Sequence, residues 1–165
     1  MSGSVIDELV ASAAEHTLTR RAPVRTPRPT RKVAVVACMD ARLDLFAILG
    51  LAPGDAHLIR NAGGVATDDV IRSLTISQRK LGTREVVLVH HTDCGMLTFT
   101  EDDLRRELLE ETGVKPSWSA EAFTDLDLDV RSSMKRIRAS PFVPYRDRVR
   151  GFVYDVDDGV LREVV

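Results

Sequence analysis

Glu85-Val86-Val87-Leu88-Val89-His90 runs straight into His91-Thr92-Asp93-Cys94-Gly95. The first six residues are dense in apolar and β-branched side chains and read as a buried strand. A similar run, Val33–Ala37, ends directly on Cys38. Ala56–Arg60 between them is a further strand candidate. Two stretches of helical spacing separate the three: Leu43, Leu45, Phe46 and Leu49, stopped by Gly50, and Val70, Ile71, Leu74 and Leu81, opened by Thr67. Asp68 and Asp69 follow Thr67, placing a hydroxyl cap and negative charge at the positive end of a helix dipole. Strand, helix, strand, helix, strand predicts a mostly parallel sheet flanked by helices, an α/β fold.

The remaining sequence is more helical. Thr100 and Asp103 have capping-box spacing, and Leu104, Leu108 and Leu109 share a face before Gly113. Leu126, Val130, Met134 and Ile137 form a stripe in a helix expected over about residues 124–139, with acids at its start and bases at its end. Gly151–Val156 and Val160–Val165, joined through Asp157-Asp158-Gly159, predict a closing strand pair turned by Asp-Gly.

A length of 165 residues suits one domain, expected over 33–165. Residues 1–32 stand apart. A short helix is expected over about residues 4–16. Residues 18–32 then carry Arg20, Arg21, Arg25, Arg28, Arg31 and Lys32 with Pro23, Pro27 and Pro29 and no acid. Such proline spacing favours extended chain, either a solvated linker or an arm laid on an acidic partner surface. A net charge of −2 gives no electrostatic reason to expect nucleic acid as a partner. No apolar run approaches the ~20 residues of a membrane span. No apolar stretch follows a basic start, and Ala22-Pro23 after Arg20-Arg21 does not continue as a twin-arginine leader. A cytoplasmic location is therefore expected, where two cysteines serve as thiols or metal ligands sooner than as a disulfide.

Cys38, His91 and Cys94 all fall directly after predicted strands. In a parallel sheet that edge is where loops diverge and ligands bind. A lone cysteine after a strand is commonly a small core hydrophobe. Convergence of all three, if the first and third strands are neighbours, would instead offer two thiolates and one imidazole, a set suited to zinc. Three protein ligands leave one position open, where a water could be deprotonated near neutral pH. Zinc with two thiolates is formally neutral and needs help to activate water. Asp40 and Arg42 follow Cys38 at a spacing that suits a carboxylate near that water and a guanidinium clasping it. Asp40 either orients the water or fills the open position itself. His90, adjacent in the strand, should face the other way.

Ala37-Cys38-Met39-Asp40-Ala41-Arg42 resembles the Cys-x-Asp-x-Arg signature of β-class carbonic anhydrases. His91-Thr92-Asp93-Cys94-Gly95 resembles that family's His-x-x-Cys-Gly motif, and Arg60-Asn61-Ala62-Gly63-Gly64 its Arg-Asn-Ala-Gly segment. The resemblance implies a sheet of about four parallel strands plus a C-terminal strand. It also implies zinc held by Cys38, His91 and Cys94, with Asp40 and Arg42 as the catalytic dyad. Gly63 and Gly95 are expected near the substrate. The activity implied is reversible hydration of carbon dioxide to bicarbonate. Residues 1–32 become the arm of a homodimer, with larger assemblies open. His57 is a candidate proton shuttle, alongside buffer. Three other readings stay open: hydrolysis of carbonyl sulfide or carbon disulfide on the same scaffold, a non-catalytic protein with structural zinc, and a metal-free redox protein using both cysteines.

Overall fold

The computed structural model describes residues 4–19 and 26–165. Of the basic arm expected over 18–32, residues 20–25 lie outside the described residues. Helix α1 spans Val5–Thr19 and leaves Val5, Ile6, Leu9 and Val10 exposed. Strands β1 (Val33–Cys38), β2 (Ala56–Asn61), β3 (Glu85–His91), β4 (Val149–Tyr154) and β5 (Leu161–Val164) form one sheet in the order β2-β1-β3-β4-β5. The first three pairings are parallel and β4–β5 is antiparallel. The expected α/β sheet of four parallel strands with a closing strand is therefore present.

Alternation along the strands sorts the core onto two faces. Ala34, Val36, Val86, Leu88, Val149 and Val153 pack on one face. They meet Val70 and Leu74 of α3 (Asp68–Arg79) and Val130, Met134 and Ile137 of α5 (Leu126–Ala139). Val35, Ala37 and Val89 point to the other face, where Leu45 of the short α2 (Leu45–Leu49) covers them. Local chemistry sets the helix ends. Asp44, Thr67, Thr100 and Asp125 each accept backbone N–H bonds as N-caps, and Gly50 and Gly113 close helices in the left-handed region.

Two expected buried faces come out differently. Phe46 is 44% exposed although Leu45 beside it is buried, because α2 is too short to turn both inward. In α4 (Glu101–Thr112) no residue is fully buried; Leu104 and Leu108 are half-buried and Leu109 exposed. Three leucines in an otherwise charged helix are too few to sink it into the core. Leu81 lies beyond the end of α3, half-buried. Among the described residues no helix is long and apolar enough to cross a membrane.

Gly151 of β4 sits where α5 presses against the sheet. A Cβ there would overlap Val130 Cγ1 and lie 3.1 Å from Met134 Sδ. Gly151→Ala should cost about 1–3 kcal/mol by overpacking, read as a lower urea midpoint with an unchanged m-value.

Candidate metal centre

The chain leaves β1 toward β2 on one side and leaves β3 toward β4 on the other, so the loops after these neighbours part and open a crevice. Cys38 is the last residue of β1 and His91 the last of β3. A tight turn with Asp93 in the left-handed region (φ 52°) brings Cys94 back toward them. The two sulfurs stand 3.9 Å apart, and both thiols and a ring nitrogen of His91 lie within 4.8 Å of one another. All three residues are buried, His91 completely.

This donor set fits zinc on three counts. Two thiolates at ~2.3 Å from a tetrahedral zinc are separated by roughly 3.8 Å, close to the spacing found and far from the ~2.05 Å of a disulfide; both cysteines are free thiols. Thr92 O accepts a hydrogen bond from His91 Nδ1 at 2.8 Å, which fixes the proton on Nδ1. His91 Nε2 is then a buried lone pair without a partner among the described residues, and a buried nitrogen left so is costly unless something binds it. Finally, the backbone amides of Asp40 and Gly63 near the Cys38 sulfur, and that of Met96 near Cys94, pull the pKa of each thiol down. Amides so placed favour sulfur in its anionic form.

The thiols titrate as a pair. The Cys94 thiol hydrogen-bonds Cys38 and draws its pKa down, and the same bond holds the Cys94 proton on and pushes its pKa up. Burial pulls His91 down, but the attraction of the neighbouring Cys38 sulfur and the Asp40 carboxylate outweighs that, and the net shift is upward. A divalent cation here would draw off the thiol protons and take the sulfurs as thiolates.

Asp40 stands on the rim with Oδ2 3.7 Å from His91 Nε2. Arg42 clasps it: Nε donates to Oδ1 at 3.0 Å, Nη2 to Oδ2 at 2.8 Å, and the Arg42 backbone N–H to Oδ1 at 2.9 Å. These hydrogen bonds hold the Asp40 carboxyl well below the usual carboxylate range, so it is ionised throughout the neutral range. Arg42 is itself fixed by the Asp93 carboxylate at 2.7 Å and the Asp93 carbonyl at 2.9 Å. From β2, Arg60 donates to the carbonyls of Cys38 and Asp40, stapling the segment that carries both. Neither Asp93 nor Arg60 was assigned a role from sequence. Arg60 lay inside a motif, but nothing in its spacing says which carbonyls it reaches.

The glycines divide. Gly63 is buried at φ 80° beside Phe123, Val65 and Met96. Gly95 opens the short turn Gly95–Leu97 with open space where a Cβ would stand. Gly64 is the tightest of these three: a Cβ there would lie 2.8 Å from Cys38 N and 3.2 Å from Val89 O. His57 pairs with Ala34, four residues before Cys38 along the sheet, so it lies on the order of 13 Å from the site. Both its ring nitrogens are engaged, by Ser77 and the Pro27 carbonyl. It is badly placed to shuttle protons. His90 does face away, with Nε2 2.7 Å from Asp129 on α5.

Cys94→Ala should abolish stoichiometric metal binding while the fold, judged by circular dichroism, persists. A variant that keeps one zinc per chain by elemental analysis would remove Cys94 from the donor set.

The family profile described as carbonic anhydrase matches residues 33–121. A β-carbonic anhydrase 1 of Mycobacterium tuberculosis is 53% identical over 161 residues, covering 98% of each chain. A carbonic anhydrase of Streptococcus mutans superposes with a TM-score of 0.91 at 43% identity over the full length of both. A carbon disulfide hydrolase of Acidianus is 35% identical, covering 81% of this chain and 77% of that protein. With the Cys38–His91–Cys94 cluster standing at the end of the sheet these relatives share, the chain belongs to the β-class carbonic anhydrase family.

Proposed function

We propose that this chain is a zinc-dependent carbonic anhydrase interconverting carbon dioxide and bicarbonate, with Cys38, His91 and Cys94 holding the metal. The observation that carries the reading is a buried donor triad with an ionised carboxylate on its rim, turned to Arg42 instead of filling the site. Zinc bound there would supply a Lewis acid that brings the pKa of water toward neutrality.

The chain's own residues supply the rest. Asp40 accepts a hydrogen bond from the reacting water and so fixes the direction of its lone pair, a positioning contribution. Arg42, anchored on Asp93, keeps that carboxylate from closing the site, which argues against permanently structural zinc. Leu43, Val65, Met96 and Phe123 pack around the two cysteines and give an apolar, linear gas a dry surface to meet. Gly63 and Gly95 keep side chains off its approach.

Carbon disulfide and carbonyl sulfide are also linear electrophiles. Carbon dioxide is preferred because the carbonic anhydrase relative matches at 53% over nearly the whole chain, against 35% for the hydrolase over about three quarters of that protein. Turnover of the three gases on one sample separates the readings. The exposed Val5, Ile6, Leu9 and Val10 on α1 support residues 1–32 as the arm of a cytoplasmic homodimer, with 33–165 as its catalytic domain.

Asp40→Ala should retain one zinc per chain yet lose carbon dioxide hydration by at least about a hundredfold. Stopped-flow rates and metal content measured on the same preparation check this. Near-normal turnover would remove Asp40 from the mechanism, and wild-type protein that carries zinc but hydrates nothing over pH 6–9 would overturn the proposal.

A further inference from the structure

The basic arm is not used by the metal centre. Its described end borders a cavity of about 230 Å³ whose wall includes Arg28, Lys32, Gln78, Arg84 and Tyr145 and, among the described residues, no carboxylate. Lys32 immediately precedes β1 and Arg84 immediately precedes β3. The cavity therefore lies at the amino ends of the strands whose carboxyl ends hold Cys38 and His91, roughly 20 Å away along six residues of strand.

The three cations are exposed, and several of the surrounding groups are anchored. Lys32 adopts the left-handed region (φ 54°), and its carbonyl accepts the Arg84 N–H at 2.7 Å. The Arg84 guanidinium lies 5.5 Å from the centre of the Tyr145 ring, and the Tyr145 N–H donates to Gln78 Oε1 at 2.8 Å. Among the described residues Arg28, Lys32 and Arg84 make no ion pair, whereas neighbouring Arg31 has Asp55 at 3.4 Å. Gln78 is 5% exposed and its Nε2 is a buried donor without a partner among the described residues. Burying an amide donor in this way is costly. An acceptor-only ligand answers the uncompensated charge of the three cations.

We propose that this cavity binds a phosphate dianion, free or as the terminal group of a small ester. Three cations, two of them forked guanidinium groups, match a tetrahedral oxyanion of more than one charge better than a monovalent one. The volume lies below the ~300–1,000 Å³ of sites for larger organic ligands, which limits the guest to a small group. Because Arg28 and Lys32 belong to the arm and Arg84 and Tyr145 to the catalytic domain, the anion bridges the two.

Calorimetric titration of inorganic phosphate into the zinc-loaded enzyme tests this, with a saturating neutral zinc-binding sulfonamide present so that the metal centre takes no phosphate. Glycerol 3-phosphate in a parallel titration distinguishes an ester from the free ion by which binds tighter. One phosphate per chain is expected, with affinity falling as salt rises. Arg84→Gln should weaken it at least about tenfold, and Arg84→Lys, which keeps the charge without the fork, should recover only part of the binding. Lys32→Asn, a residue that tolerates the left-handed region, should weaken it similarly. All three variants should hydrate carbon dioxide at the wild-type rate. No heat from wild type with the metal centre blocked by the sulfonamide, or unchanged affinity in both Arg84→Gln and Lys32→Asn, would overturn the proposal.

Discussion

The parallel pairing of β1 with β3, in the register Ala37↔Val89, is the constraint on which the rest depends. It brings Cys38 and His91 to the same edge of the sheet, and the turn through Asp93 then has only a short distance to return Cys94. A slip of one residue would send every β3 side chain to the opposite face. Slipped one way, Thr92 would then occupy the position of His91, and the imidazole would be lost from the cluster. The pairing is protected where it matters most: Gly64 packs against Cys38 N and Val89 O at the end of both strands, in a space no side chain can share.

Around this edge the protein sets apolar packing against a few fully engaged polar groups. Leu43, Val65, Met96 and Phe123 exclude water from the sulfurs, which strengthens every electrostatic interaction there. Asp40 can keep its charge beside such a site because Arg42 satisfies both of its oxygens, and Asp93 in turn anchors Arg42. Arg60 acts on backbone instead, holding the carbonyls of Cys38 and Asp40. The opposite end of the sheet has the contrary composition, with cations and, among the described residues, no carboxylates facing a small cavity.

Much of this was legible in the sequence. The strands announced themselves as short apolar runs, and the helices by caps such as Thr67 and Thr100 that act within one turn. Cys38, His91 and Cys94 were readable as one cluster because they fall directly after strands, and β2-β1-β3 order is a common solution for such a chain. The fate of Phe46 and of the α4 leucines was not readable, since periodicity reports a face but not whether anything covers it. His57, a candidate shuttle alongside buffer, is a related case: residue type gives its chemistry, while its place at the far end of β2 comes only from register.

The amino-acid sequence by itself determined the elements, their caps and the kinds of donor atom available, because those depend on neighbours within a few residues. Tertiary structure alone decided that Arg60 reaches the Cys38 and Asp40 carbonyls and that Asp93 secures Arg42. It also decided that Arg28, Lys32 and Arg84 share one cavity. Each of these joins groups far apart in the chain, and which of them meet is set by strand order and register, quantities no local pattern encodes.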